Sequence, residues 1–556
     1  MDNAPLSLKT YISFGIISLF IAFPFISFDF LLKNNHVLLL NPMIVFPVIL
    51  GIGVLFAFYI DRLIKKSLEN DTKHHIFIIA AVCIWLYALF LLYMTWYRYE
   101  YFIAEVIDVH YFNQVIWELS EFKVPFLWNL DQPVYPAWSQ HFSPIYIFLA
   151  PMYWFIKGAG PLIFIQAIAV LSGAFPIYFI AKHFLKAKSI GIALSFSYLA
   201  FGGLQFGFAY GFHEIMFFPP LFLWAYYFYI RNKKIFYFLF LFLSLLVKEE
   251  VVFIVGSWSI YLLLVKRDWF LGSVTAGFAI IWYILCFQFV FPFFNNGGSF
   301  GYWGQYGVNS SLGILGFVPY VLFNPLGFFQ TLVTPILKVE TFLQTFGAFS
   351  FLLFLYPPSF LIVLPSLLQK MLSSDIAMAN GAHYSAAITA VTIVATFESF
   401  RHFYKYKFLN KVIRNKNIFF SVLIVYIALF SNIFYGFRGY SLIPYVHSSI
   451  QESGLSANNL EFLNKIITLL PEDATVSAQY QIAPHINKHY KKVTIWPGMN
   501  GTEDFIIINT ELQPVMGATA QDYNKAIEKL DQNSSYQLAT NQFGISVYRK
   551  KSYTLK

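Results

Sequence analysis

The chain has 556 residues, of which 58% are hydrophobic, 21% aromatic and only 12% charged. A soluble globular chain carries about a quarter charged residues, so this composition excludes a fold whose whole surface faces water. The formal net charge is +9, but the cations sit in short loops between apolar runs, where they set topology; no nucleic-acid partner is expected. Both cysteines, Cys83 and Cys286, lie inside apolar runs and imply neither a disulfide framework nor a metal site.

From the amino end, the apolar runs 11–32, 37–60 and 75–97 each reach the roughly 20 residues that cross a hydrocarbon core. The first lacks a small-residue cleavage site and is read as a retained span. The basic loops 61–73, 182–188, 231–234, 266–268 and 401–416 are placed inside. A span at 142–156 would put loop 182–188 outside. That segment is short and holds Pro144 and Pro151, so it is read as an interfacial or re-entrant helix. The spans that remain are near 11–33, 37–60, 76–97, 160–181, 189–208, 215–230, 235–250, 251–265, 269–293, 314–337, 346–368, 384–400 and 417–436, the weakest being 314–337, which Pro325 and Pro335 interrupt. The expected fold is an α-helical polytopic membrane protein of about 13 spans over 1–436. Its large outer loop is 98–159, and its amino terminus is cytoplasmic.

Residues 437–556 differ in kind. Helical spacing at 460–470 and 522–530 alternates with short strand-like runs at 474–478, 492–496, 505–509, 536–539 and 544–548. This predicts a small α/β domain outside the cytoplasm.

Ionisable groups near membrane depth are costly and are functional candidates. Five groups stand out: Asp108 with Glu105 beside it; His141; His213-Glu214; Lys248-Glu249-Glu250, in the longest hydrophobic stretch; and His383-Tyr384. A topology drawn from the basic loops alone puts all five on the outer side of the cell membrane. No P-loop, GxGxxG fingerprint, CxxC pair or HExxH is present. A carboxylate flanked by His, Lys and further carboxylates at that face suits group transfer from a lipid-linked donor. An Asp takes the acceptor proton, and a Lys, or a divalent ion such as Mg or Mn held by Asp108 and Glu214, stabilises the leaving phosphate. Two other readings stand beside it: a lipid or glycan transporter or flippase, and a non-catalytic assembly protein.

The stretches Gln140-His-Phe-Ser-Pro144, Phe212-His-Glu214 followed by Pro219-Pro220 and Trp224, and Leu246-Val-Lys-Glu-Glu250 resemble those of a multi-pass membrane family, domain of unknown function 2079. Asp108-Val-His-Tyr-Phe-Asn-Gln114 is similar to the family's opening motif, usually Asp-Leu-Gly-Ile-Phe-Asp-Gln. His383-Tyr-Ser385, Pro484-His485 and Trp496-Pro497 fit as well, and the likeness runs over about 95–510. The resemblance implies a glycosyltransferase of GT-C type, using a polyprenyl-phosphate sugar and a glycan, lipid or protein acceptor. By it, Asp108 takes the catalytic place and 142–156 the place of an interfacial helix; the reading adopted here has His141, His213 and Glu214 shape the site. Lys248, Glu249, Glu250, His383 and Tyr384 face the donor phosphate. Asn113 stands where the motif has a second Asp, and Glu105 is the candidate replacement.

Overall fold

The computed structural model describes residues 42–63, 70–102, 107–127, 135–156, 158–209, 211–298, 300–306, 317–374, 380, 383–437, 455–486, 493–497, 503–512 and 519–554. The expected span at 11–33 and the candidate Glu105 lie outside them.

Most of the described chain is helical. Three helices are long and apolar enough to cross a membrane: Ile78–Glu100, Ala159–Leu185 and Trp269–Phe294. Lys188–Ala200 and Gly202–Phe208 add a fourth if the pair, bent by 54°, is one span. Among the described residues, then, three or four full-length spans stand where hydropathy suggests about 13. At two of the expected spans the difference has a local cause, whereas Pro42–Leu63 and Lys416–Phe437 stand as unbroken helices of 22 residues each. Proline lacks the N–H that continues a helix, and the expected 314–337 span breaks at Pro325 and Pro335 into Phe317–Phe323, Pro325–Val333 and Ile336–Gly347. The expected 346–368 span holds two 3-10 turns, Leu352–Leu355 and then Pro357–Ser359, before Phe360–Leu372 begins. Apolar content marks these segments, but each unbroken helix is short.

The 142–156 segment is likewise one helical turn, Tyr146–Leu149, followed by the 3-10 stretch Ala150–Trp154. Phe155 after it is 84% exposed. Polar residues staple the helices to one another. Glu398, fully buried in Ala386–Phe403, accepts from Tyr226 Oη at 2.8 Å and Tyr261 Oη at 3.2 Å and pairs with Lys266. A buried carboxylate is tolerable only when paired and hydrogen-bonded in this way.

Two short strands, β1 (Phe126–Leu127) and β2 (Tyr135–Pro136), close the loop after the Ile107–Ser120 helix. The carboxyl-terminal part holds a five-stranded sheet of β3 (Val476–Ala478), β4 (Val493–Ile495), β5 (Phe505–Asn509), β6 (Tyr536–Gln542) and β7 (Ile545–Lys550). Its order is β4-β3-β5-β7-β6, with β3 parallel to both β4 and β5, and β7 antiparallel to β5 and β6. Alternation along a strand sends successive side chains to opposite faces. Phe505 and Ile507 pack with Leu463 of the Ala457–Leu469 helix, while Ile506 and Ile508 pack with Tyr523 and Leu530 of the Ala520–Asp531 helix. The first helix is capped by Ser456 and the second by a Thr519–Asp522 capping box.

Candidate active site

Asp108 lies in the first turn of the Ile107–Ser120 helix, where the helix dipole favours a carboxylate. Its side chain is 42% exposed, and its Oδ2 lies 3.2 Å from His213 Nε2. His213 is set by its backbone. Gly211 has φ +107°, a conformation that a Cβ makes costly. The Gln166 side chain brackets that turn: its Oε1 accepts from the His213 N–H at 2.6 Å, and its Nε2 donates to the Gly211 carbonyl at 2.8 Å. The His383 ring stacks on His213 with centroids 3.8 Å apart and planes at 16°. Tyr384 follows in the turn ahead of the Ala386–Phe403 helix.

Glu214 starts the 3-10 turn that leads into Phe218–Ile230. Both its oxygens are engaged: Oε1 pairs with Lys248 Nζ at 3.2 Å, and Oε2 accepts from Tyr146 Oη at 2.7 Å. Lys248, Glu249 and Glu250 occupy a turn between the apolar helices Lys234–Leu245 and Val251–Ile260. That break is why charges sit in so hydrophobic a stretch: the backbone leaves the helix and the side chains meet partners from elsewhere. Glu249 Oε1 pairs with His141 Nδ1 at 2.8 Å, and its Oε2 accepts the Phe142 N–H at 3.0 Å. The Ile145 N–H donates to the Leu246 carbonyl at 2.9 Å, joining the same two segments through the backbone. Glu250 accepts from Gln369 Nε2 at 2.6 Å. The His141 ring lies on Tyr302, with centroids 4.7 Å apart and planes at 10°.

Asp108, His141, His213, Glu214, Lys248, Glu249, Glu250, His383 and Tyr384 all line one cavity of about 840 Å³. It does not end at the charged turn. It continues past Val252 and Ile260, along a helix rising about 1.5 Å per residue, and is walled there by Ile280, Phe328 and Leu368. One space thus has an ionic end and an apolar length.

A divalent ion shared by Asp108 and Glu214 does not fit this arrangement. The Lys248 ammonium and the Tyr146 hydroxyl already hold both Glu214 oxygens, and a dication there would lie against the ammonium. Among the described residues, no group of three or more His, Cys, Asp or Glu is arranged to hold a metal. Asn113, at the motif's second acidic position, accepts from Tyr153 Oη at 2.6 Å and anchors the 3-10 stretch Ala150–Trp154. It does not line the cavity.

Sequence reasoning passed over Tyr146, Gln166, Tyr302 and Gln369. Gln166 and Gln369 were findable, since each is an amide in an apolar run where it needs a partner. Lys370, beside Gln369 and 2% exposed, is an ionisable group in such a run by the same criterion. Tyr146 and Tyr302 carried no signal in a chain with 37 tyrosines.

A family described as predicted membrane protein (DUF2079) matches residues 103–547. None of the curated proteins matches the chain. Two crystal structures of ArnT from Cupriavidus metallidurans resemble the fold. The one bound to undecaprenyl phosphate has 10% identity and a TM-score of 0.44 over 84% of this chain and 97% of that one. The apo form has 12% identity and a TM-score of 0.45 over 84% and 98%.

Proposed function

The chain belongs to the DUF2079 family of membrane proteins, and from that premise we propose that it is a glycosyltransferase of GT-C type. It moves a sugar from a polyprenyl-phosphate donor to an acceptor at the outer membrane face. The observation that carries this reading is the shape of the cavity: a cation among carboxylates at one end and apolar walls along the rest. That pairing suits a ligand with a phosphate head and a hydrocarbon tail, and it suits few water-soluble metabolites.

In the proposed step, an acceptor hydroxyl attacks the anomeric carbon and its proton passes to Asp108. The bond from that carbon to the phosphate oxygen breaks, and polyprenyl phosphate leaves with its charge facing Lys248. His213 orients Asp108 by donating from Nε2 to Oδ2, which leaves the second carboxylate oxygen for the proton. Glu214, itself held by the Tyr146 hydroxyl, fixes the Lys248 ammonium, and the ammonium's remaining protons serve the phosphate. Glu249 orients His141, and Gln369 orients Glu250. No step runs through a metal. In this reading, Ile107–Ser120 and the carboxyl-terminal sheet lie outside the cytoplasm.

The test is to supply membranes holding the protein with radiolabelled polyprenyl-phosphate sugars and to follow the label. Movement into a glycan, lipid or protein fraction is the expected result. Label that changes leaflet while staying on its carrier is the result of a flippase and would overturn the reading.

A further inference from the structure

Resting on that reading, we infer that the carboxyl-terminal sheet is a positioning clamp for Asp108, gripping the chain on both sides of it through His485 and Val493. On the near side, the Asn70–Glu100 helix ends at Tyr99 and Glu100, and Phe102 follows. The His485 ring, from the 3-10 turn Ala483–His485 between β3 and β4, stacks on Tyr99 with centroids 4.2 Å apart and planes at 15°. It packs against Phe102 at 3.9 Å. Phe102 is 2% exposed and belongs to the hydrophobic core of the sheet, together with Leu463 and Val476. The turn that ends the Asn70–Glu100 helix is therefore built into the sheet's own core.

On the far side, His110 Nε2 lies 2.9 Å from the carbonyl of Val493, the first residue of β4. A carbonyl only accepts, so the imidazole carries its proton on Nε2 and donates. His110 is 3% exposed, and a donor buried at that depth is costly to leave unpaired. Asp108 and His110 share the first helical turn and point about 200° apart at about 100° per residue. One turn thus faces His213 and the cavity with its acid and faces the sheet with its imidazole. Rotation or fraying of that turn would break both contacts, so the sheet fixes the acid's approach without touching the cavity. His110 and His485 are positioning residues in this account.

The full chain, purified in lipid nanodiscs, tests it with His110→Ala, His110→Gln, His485→Ala and His485→Phe. Hydrogen exchange is read over 107–120, with the Trp269–Ile284 helix as internal reference. Loss of one buried hydrogen bond is expected to speed exchange about fivefold over 107–120, with the reference unchanged. Donor turnover should fall in kcat with KM nearly unchanged. His110→Gln keeps a donor for the Val493 carbonyl, and His485→Phe keeps a ring between Tyr99 and Phe102, so both should restore slow exchange and turnover. Unchanged exchange over 107–120 in both alanine variants would overturn the clamp, and so would faster exchange with unchanged kcat. If the unaltered chain transfers no sugar, the functional reading fails by itself, and local exchange alone decides whether the sheet holds the helix.

Discussion

Lys248 and Glu214 bury opposite charges against each other, and removing one partner strands the other. Lys248→Met should destabilise the protein by about 3–5 kcal/mol, since the Glu214 carboxylate would be left with only the Tyr146 hydroxyl. Adding Glu214→Gln should recover most of that stability while transfer stays lost. Denaturant unfolding in detergent checks the first claim, and equal losses in the single and double variants would mean the pair is not coupled. At this scale much was legible in the sequence, because an ionisable group in an apolar run needs a partner and the candidates were few. Nine of the ten residues singled out line one cavity, and Glu105 lies outside the described residues. Which groups pair was not legible. His141 reaches Glu249 across 108 positions and Tyr146 reaches Glu214 across 68; no local spacing rule connects such pairs.

Among the elements, the turns matter more than the helices. Gly211 takes φ +107° just ahead of His213, so Gly211→Ala should cost about 1–2 kcal/mol. It should also weaken transfer by shifting the His213–Asp108 contact, which parallel measurements of unfolding and turnover would detect. An alanine variant as stable and active as the parent would mean that the turn relaxes freely. The element pattern also shows where hydropathy and unbroken helix length part. Window averages record how apolar a stretch is, so 314–337 passes as a span, and the two prolines that mark it as the weakest are where its helices divide. The Lys248–Glu250 turn is the useful case: the interruption of an apolar run marks the ionic end of the cavity. In the carboxyl-terminal part, strand and helix positions were readable because polar turn residues separate them. The parallel pairing of β3 with both β4 and β5 was not, since register between distant strands leaves no trace in either strand alone.

At the level of the whole molecule, the sheet and the helical part meet around buried imidazoles. Burial pushes the His485 pKa down to about 3 from an ordinary 6.5. The docked ring stays neutral while a freed one would take a proton below about 6.5, so docking is undiminished above that pH. It weakens by up to about tenfold per unit as pH falls towards about 3. Proteolysis of the carboxyl-terminal part in the intact protein should therefore speed up between pH 6 and pH 4, roughly the range in which the two pKa values bracket the titration. His485→Phe should make that dependence shallower, the remainder coming from His110, whose pKa burial pushes down to about 4; an equally steep profile in the variant would place the sensitivity elsewhere.

Whether Asp108 takes the acceptor's proton is decided by one comparison. Wild type and Asp108→Asn, each inserted in membranes and each shown to bind a labelled polyprenyl-phosphate sugar, are followed through a single turnover. The asparagine keeps the shape but cannot take the acceptor's proton. Normal insertion, retained lipid binding and a transfer rate lower by about 10²–10⁴-fold are expected, the last being the usual worth of a positioned general base. Transfer at the wild-type rate in Asp108→Asn would mean that Asp108 is not the base.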